Sequence, residues 1–259
     1  MIGAMTEVII LGEGDAAAAA LDEAAAQGIP AMRPAWPVWS VVPGFRVDAL
    51  GPDGTIAMQA PRVLAVAGVR PVPFGGGTIP EWHAPRLLRA AMTFDGTGWT
   101  PLRDANGQTS VPGLFVAETA AQARSAIRRL LLPLPPQQAQ GEGSDMRTTP
   151  SQKGNIVPAM PSDMVICPCE GLTRAHVEAA VADGARDMNQ LRAFTRCGMG
   201  PCQGQQCEEL AARILAPLVG GRVAAGQWTM RPPLFPVPLD LLMGAYTYAD
   251  IPVPAPAPL

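Results

Sequence analysis

The chain has 259 residues and a formal net charge of -3, with charged residues making up only 16% of it. This balance offers no basic surface for a nucleic acid partner. The 27 glycines and 29 prolines indicate many turns, but the composition is not that of a disordered chain. No run approaches the roughly 20 apolar residues that a membrane span needs. We therefore expect a soluble, cytoplasmic protein.

The first part of the chain predicts a strand, a glycine turn and a helix. Residues 8–11 are an apolar run typical of a buried strand, and residues 15–27 are an alanine-rich stretch that predicts a helix. The turn between them fits the pattern G-x-G-x-x-G/A, in which Gly12 and Gly14 allow a backbone to approach a pyrophosphate. The alternative is an ordinary β-α turn, which the negative charge of Asp15 favours.

The next stretch departs from a dinucleotide-binding unit. Such a unit continues with a second strand and an acidic residue about 20 residues after the glycines. Residues 30–39 show neither an obvious strand nor a suitable carboxylate. Residues 45–50 and 55–59 then predict a β-hairpin around the turn 51–54, and residues 61–68 predict another apolar strand.

Two segments resemble flavoproteins that have two dinucleotide-binding domains. They are residues 62–74, which resemble an apolar strand running into R-P-V-P-F, and residues 98–118, which resemble the last FAD-contacting strand. The resemblance implies FAD as a candidate cofactor, with Gly12, Gly14 and Glu118 near it.

Two departures from that family shape the expected fold. Ala117 stands where the family has a glycine, and the stretch between Glu81 and Phe94 leaves no room for the family's NAD-binding domain. We therefore expect residues 1–132 to form an α/β domain, a truncated Rossmann-like FAD-type domain with a β-hairpin.

The rest of the chain predicts a linker and a second domain. Residues 133–163 lack apolar periodicity and predict an extended connection. Residues 164–243 predict a small all-α domain of short helices, and the proline-rich residues 244–259 predict a solvated tail. All five cysteines lie in the second domain. An odd number of thiols in one region favours metal or cluster binding in a reducing compartment over disulfides.

The spacing of the cysteines favours an iron–sulfur cluster. A C-x-C pair is followed, after 32 residues, by a C-x-x-x-x-C pair, whereas structural zinc usually takes C-x-x-C pairs. A [2Fe-2S] centre needs four thiolates and N–H donors for its sulfides, which the glycine-rich turns supply. The candidate ligands are Cys167, Cys169, Cys202 and Cys207, and zinc is the alternative metal.

Residues 164–210 resemble the [2Fe-2S] domain of the bacterioferritin-associated-ferredoxin type. The motifs ICPCE and TRCGMGPCQGQQC are similar to the form found in the A subunits of opine oxidases and in the B subunits of hydrogen cyanide synthases. Relatives often have alanine in place of Cys197, so the resemblance makes this cysteine the spare one. Residues 229–237 resemble the segment that follows the cluster domain in those chains.

The resemblance implies an electron-transfer role. We expect an iron–sulfur subunit of a heteromeric flavin-dependent dehydrogenase or oxidase that acts on an amino acid, imino acid or opine. Its partners are then a further small ferredoxin-like subunit, together with an FAD-containing dehydrogenase or oxidase subunit. We find no candidate catalytic residues. The alternatives are an FAD-binding oxidoreductase in its own right and a non-enzymatic scaffold or sensor that carries the cluster.

Overall fold

The structure, a computed structural model, describes residues 6–34, 38–51, 54–71, 78–130, 160–234 and 237–239. Residues 6–130 form an α/β part, and the residues from 160 onward form a smaller, mainly helical part. The predicted fold class is therefore confirmed. Most of the predicted linker, the whole predicted tail and residues 52–53 of the hairpin turn lie outside the described residues.

The α/β part is built on a parallel sheet of four strands in the order β11-β6-β1-β2. In chain order its elements are β1 Val8–Leu11, α1 Asp15–Ala26, β2 Ala31–Met32, β3 Val38–Val42, β4 Arg46–Gly51, β5 Gly54–Gln59, β6 Arg62–Val66, β7 Gly68–Pro71, β8 Thr78–Glu81, α2 His83–Leu87, β9 Met92–Phe94, β10 Trp99–Pro101, β11 Leu114–Ala117 and α3 Ala120–Leu130.

Strand β1 is buried on both faces of this sheet, which is why its sequence is apolar at every position. Val8 and Ile10 pack in the core against helices α1 and α3. Ile9 and Leu11 point to the other face and pack in the core that includes Val47 of β4. The parallel sheet therefore lies between a helical layer and a small antiparallel sheet.

The predicted hairpin is confirmed. Strands β3, β4 and β5 form a three-stranded antiparallel sheet in which Val47 pairs with Met58. The predicted strand over residues 61–68 is also present as β6, which pairs in parallel with both β1 and β11.

The expectation that residues 30–39 contain no strand was wrong. Ala31 and Met32 pair in parallel with Val8 and Ile9 as β2, and β3 begins at Val38. Strand β2 has only two residues and is followed by Arg33 and Pro34, so too little alternation exists for a sequence pattern to show it.

The second part contains β12 Val165–Cys167, β13 Leu172–Thr173, α4 Arg174–Ala182, α5 Met188–Thr195, α6 Glu208–Val219 and α7 Arg222–Ala225. Its helices pack around a core that includes Leu191, Leu215 and Trp228. Met160, which we assigned to the linker, is buried in the same core, and its carbonyl oxygen accepts a hydrogen bond from Arg174. Among the described residues, no helix is both long and apolar enough to cross a membrane.

Candidate metal centre

The C-x-C pair lies at a short two-stranded ladder. Cys167 is the last residue of β12, and Cys169 lies in the turn that leads to β13, where Leu172 pairs with Cys167. Cys167 is buried and Cys169 is exposed. The pair therefore presents one thiol to the core and one to the surface.

The other three cysteines lie around the turn between α5 and α6. Helix α5 ends at Arg196, which takes the left-handed conformation with a φ of 63°, and Cys197 follows it. Cys202 lies in the middle of the turn, and Cys207 is the residue that caps the N-terminus of α6. Cys197 and Cys207 are fully buried, and Cys202 is partly exposed.

The fold brings all five thiols to one place. The sulfur atoms of Cys169 and Cys202 are 3.5 Å apart, although the residues are 33 positions apart in the chain. The sulfur atoms of Cys167, Cys197 and Cys207 all lie within 4.8 Å of one another. The two sequence groups that we predicted to act together are therefore close in space, and Cys197 lies among them.

Glycines in the turn allow this close approach. A Cβ atom on Gly200 would lie 2.2 Å from the Cβ of Cys169. A Cβ on Gly198 or on Gly204 would lie 2.5 Å or 2.4 Å from the ring of Trp228. The turn is thus packed between Cys169 on one side and the buried Trp228 ring on the other.

Backbone N–H groups point at the sulfur of Cys202. Burial acts to raise the pKa of this thiol, but hydrogen bonds from the N–H of Gln206, from the Cys169 thiol and from the two residues before Gln206 leave it lowered. N–H groups directed at a sulfur stabilise the thiolate, the form that binds metal. The turn therefore favours the thiolate form of Cys202, which a metal ligand needs.

The pKa values of two buried thiols, Cys167 and Cys207, are shifted in the opposite direction. The Cys197 thiol and then burial strongly raise the pKa of Cys207. Burial likewise raises the pKa of Cys167, against hydrogen bonds from the N–H groups of Gly198 and Glu170. These thiols become thiolates most readily when a positive charge lies among them, as the iron of a cluster or a zinc ion supplies. A set of thiolate donors with N–H groups around it fits an iron–sulfur cluster.

Charged residues surround the start of α6. Glu208 and Glu209 follow Cys207 in the first turn, where negative charge interacts favourably with the helix dipole. Glu208 forms a two-pronged ion pair with Arg86 of α2, and Glu209 lies 2.7 Å from Arg222. Both carboxylates are therefore neutralised close to the cluster site.

The residues predicted to contact FAD lie at one edge of the parallel sheet. Gly12 and Gly14 follow β1, and Glu118 follows β11, so both lie at the carboxyl ends of their strands. Gly12 is required for packing, because a Cβ there would lie 2.9 Å from Val66. The carboxylate of Glu118 lies 3.1 Å from Arg103. FAD binding by this edge stays a prediction.

Sequence reasoning missed Arg86 and Trp228. Arg86 donates hydrogen bonds both to Glu208 and, at 3.2 Å, to the carbonyl oxygen of Trp228, which lies 142 residues away. The only local signal was the acidic residue directly after Cys207. His176, the histidine of this part, has a structural role, because its ring caps α4 through Thr173.

Comparison with known proteins supports the cluster. Residues 165–217 match the family described as the BFD-like [2Fe-2S] binding domain. This part of the chain is thus a [2Fe-2S] domain, in agreement with its converging thiols and in preference to the zinc alternative.

The sequence similarity to curated relatives extends beyond residues 165–217. The A chain of the opine oxidase of Rhizobium meliloti (strain 1021) is 32% identical over 198 residues, which cover 63% of this chain and 41% of that protein. Hydrogen cyanide synthase subunit HcnB of Pseudomonas protegens is 34% identical over 129 residues, covering 49% of this chain and 26% of that protein. The chain therefore matches about two fifths of the length of the first relative.

The fold is also similar to a solved structure of L-proline dehydrogenase from P. horikoshii. The match covers 92% of this chain and 50% of that chain. The TM-score is 0.45 and the sequence identity is 16%.

Proposed function

We propose that the chain is the iron–sulfur electron-transfer subunit of a heteromeric flavin-dependent dehydrogenase or oxidase. The observation that carries the proposal is the convergence of the five thiols, with the Cys169–Cys202 pair at the surface. A cluster held there lies near the protein surface on one side and against the core on the other. This arrangement suits a centre that exchanges electrons with a partner.

The chain's own residues hold and tune the site. In this proposal Cys167, Cys169, Cys202 and Cys207 are the ligands. The cluster supplies one-electron redox chemistry, which allows a two-electron flavin to discharge in single steps. The N–H groups around Cys202 stabilise negative charge on its sulfur.

The relatives support the nature of the complex. Two of them are named as subunits, of an opine oxidase and of a hydrogen cyanide synthase. A third, the A1 chain of the anaerobic glycerol-3-phosphate dehydrogenase of Haloferax volcanii, is 36% identical over 67 residues, which cover 26% of this chain and 11% of that protein. We propose an amino acid, imino acid or opine as the substrate of the complex. Its partners are a small ferredoxin-like subunit together with an FAD-containing subunit. We also propose a cytoplasmic location, which the five free thiols support.

A second candidate function is an FAD-binding oxidoreductase in its own right. The observation in its favour is that Gly12, Gly14 and Glu118 share one edge of the parallel sheet, where open α/β sheets bind their ligands. Flavin released by acid from the purified chain distinguishes this function from a purely electron-transferring one.

The test is anaerobic purification of the full chain, followed by iron, acid-labile sulfide and flavin analysis. We expect iron and sulfide in equal amounts and a visible spectrum that disappears in Cys202→Ser. The exposed Ser162, changed to alanine, serves as the control and keeps the spectrum. A colourless protein that contains zinc and no sulfide overturns the proposal, and so does a Cys202→Ser variant with an unchanged spectrum.

A further inference from the structure

The thiols of the site fall into an outer pair and an inner group of three. Cys169 and Cys202 form the outer pair, whose sulfur atoms are 3.5 Å apart. Cys167, Cys197 and Cys207 form the inner group, and each is at most 1% exposed. A cluster with two irons and four thiolates needs two ligands at each end. At the outer end, two thiols are available for the two ligand positions of the cluster. At the inner end, three thiols are available for two ligand positions.

The third inner thiol is Cys197, and its backbone holds it in place. Its N–H donates a hydrogen bond of 3.2 Å to the hydroxyl of Thr195, at the end of α5. The next residue, Gly198, lies against the ring of Trp228. The backbone of Cys197 is thus held in place, and its sulfur lies 3.9 Å from the sulfur of Cys207.

A small buried side chain would fill this position equally well if packing were its only role. Packing alone, however, does not require a sulfur that lies within 4.8 Å of two others. A thiol at this distance from two candidate ligands can reach an iron that they bind with a rotation about its own side-chain bonds.

We infer that Cys197 is a reserve ligand of the cluster that replaces Cys207 at the inner end of the site. This inference rests on the proposed cluster function. In the exchange, an iron–sulfur bond to Cys207 breaks and one to Cys197 forms. The proton of the Cys197 thiol passes to the released Cys207 thiolate, so that the charge and the electron count of the site do not change.

The test compares four variants of the full chain, purified without oxygen. They are Cys197→Ala, Cys207→Ala, the double variant with both changes, and Cys202→Ala. Iron and sulfide per chain, visible circular dichroism and the electron paramagnetic resonance spectrum of the reduced protein are measured for each. Far-ultraviolet circular dichroism checks that each variant is folded.

Reserve ligation predicts an asymmetric result. Cys197→Ala keeps the wild-type spectra, and Cys207→Ala keeps most of its iron and sulfide with shifted spectra. The double variant and Cys202→Ala lose the cluster. The inference is overturned if Cys207→Ala loses the cluster as fully as Cys202→Ala does, or if Cys197→Ala alone loses it.

If Cys207→Ala does not fold, a second variant, Cys207→Ser, takes its place in the test. Cys207→Ser keeps a side chain of similar size, and its spectra are compared with and without Cys197→Ala. A spectrum of all-sulfur ligation that changes when Cys197 is removed supports the inference, and identical spectra overturn it. If the wild-type chain itself holds neither iron nor sulfide, the proposed function fails, which is a different outcome from the loss of the cluster in Cys207→Ala alone.

Discussion

Gly200 occupies a position where any side chain would disturb the metal centre. Its hypothetical Cβ lies 2.2 Å from the Cβ and 3.1 Å from the sulfur of Cys169; the first contact is far too short for a real Cβ, and the second is tight. Cys169 must therefore move if Gly200 is substituted, and the outer thiol pair opens. The close approach of two backbones in this turn is what keeps the pair together.

We expect Gly200→Ala to weaken the cluster site without unfolding the domain. The change displaces Cys169, a ligand in the proposed function, so iron should be lost to a chelator roughly 10- to 100-fold more readily than from the wild type. The measurement is the decay of visible absorbance in the presence of excess chelator.

Gly184→Ala is the matched control in the same domain. Gly184 has a φ of 114°, but a Cβ there meets no atom within 4 Å. Its substitution costs roughly 1–2 kcal/mol of backbone strain and leaves the sulfur atoms where they are. Equal iron retention by the two variants contradicts the role given to Gly200.

At this scale the sequence predicts the thiols better than their surroundings. The cysteines are recognisable because their spacing is local, and Gly198 and Gly200 stand between them in the same turn. Trp228 and Arg86 are not recognisable, since each meets the site through a contact between residues far apart in the chain. Single-residue patterns carry no information on such contacts.

Helices α1 and α3 are joined by an ion pair on the helical face of the sheet. Glu23 of α1 accepts hydrogen bonds of 2.8 Å and 3.1 Å from Arg128 of α3. Hydrogen bonds from Arg128 and from Gln27 lower the pKa of Glu23. The pair connects two elements that are 105 residues apart in the chain.

The stabilisation that this ion pair gives to the α/β part is lost in acid. Because the pKa of Glu23 is lower in the folded than in the unfolded chain, its stabilising effect is complete above the unfolded pKa. The effect is lost as the pH falls through the folded pKa. We expect Glu23→Gln to lower the melting temperature at pH 7 and the difference from the wild type to shrink as the pH falls below about 4.

Thermal unfolding measured over a series of pH values checks this expectation. Asp22→Asn, an exposed change at the neighbouring position of α1, is the control and should shift the melting temperature less at pH 7. A Glu23→Gln difference that stays constant from pH 7 to acid would show that the ionised carboxylate is not its cause.

The longer elements could be predicted and the short ones could not. Strand β1, helix α1 and the β4–β5 hairpin follow from apolar runs, alanine content and turn residues. Strand β2 takes its place from the neighbouring β1 alone, with only two pairs of residues. Its existence is a result of tertiary packing, which overrides local preference.

The two parts of the molecule meet at Arg86. Its side chain and that of Glu208 are each only 7% exposed. Arg222 reinforces the same boundary, since its guanidinium lies 5.4 Å from the centre of the Phe94 ring. A buried, two-pronged pair of this kind fixes both partners in one geometry.

We expect Arg86→Ala to destabilise the folded chain by roughly 3–5 kcal/mol, because it leaves the buried Glu208 carboxylate without its main partner. Denaturant unfolding at neutral pH measures the change. In addition, iron should be lost faster, since Glu208 adjoins Cys207.

Arg46→Ala is the matched control. Arg46 pairs with Asp48 at 3.1 Å within one part of the chain, and its side chain is 60% exposed. The side chain of Asp48 is only 9% exposed, but the Arg46 guanidinium lies largely in solvent. Water therefore screens the pair, and we expect its loss to cost only about 1 kcal/mol. Our account of the boundary is wrong if the two variants unfold at the same denaturant concentration.

One consequence follows from the covalent link between Glu208 and Cys207. Arg86 of the α/β part binds Glu208, and in the proposed function the cluster binds Cys207, so two neighbouring residues at the start of α6 are held by two different contacts. A coupling free energy between two such contacts acts equally in both directions. We therefore expect that filling the metal site strengthens the contact between the two parts of the chain, and that this contact strengthens metal binding in return.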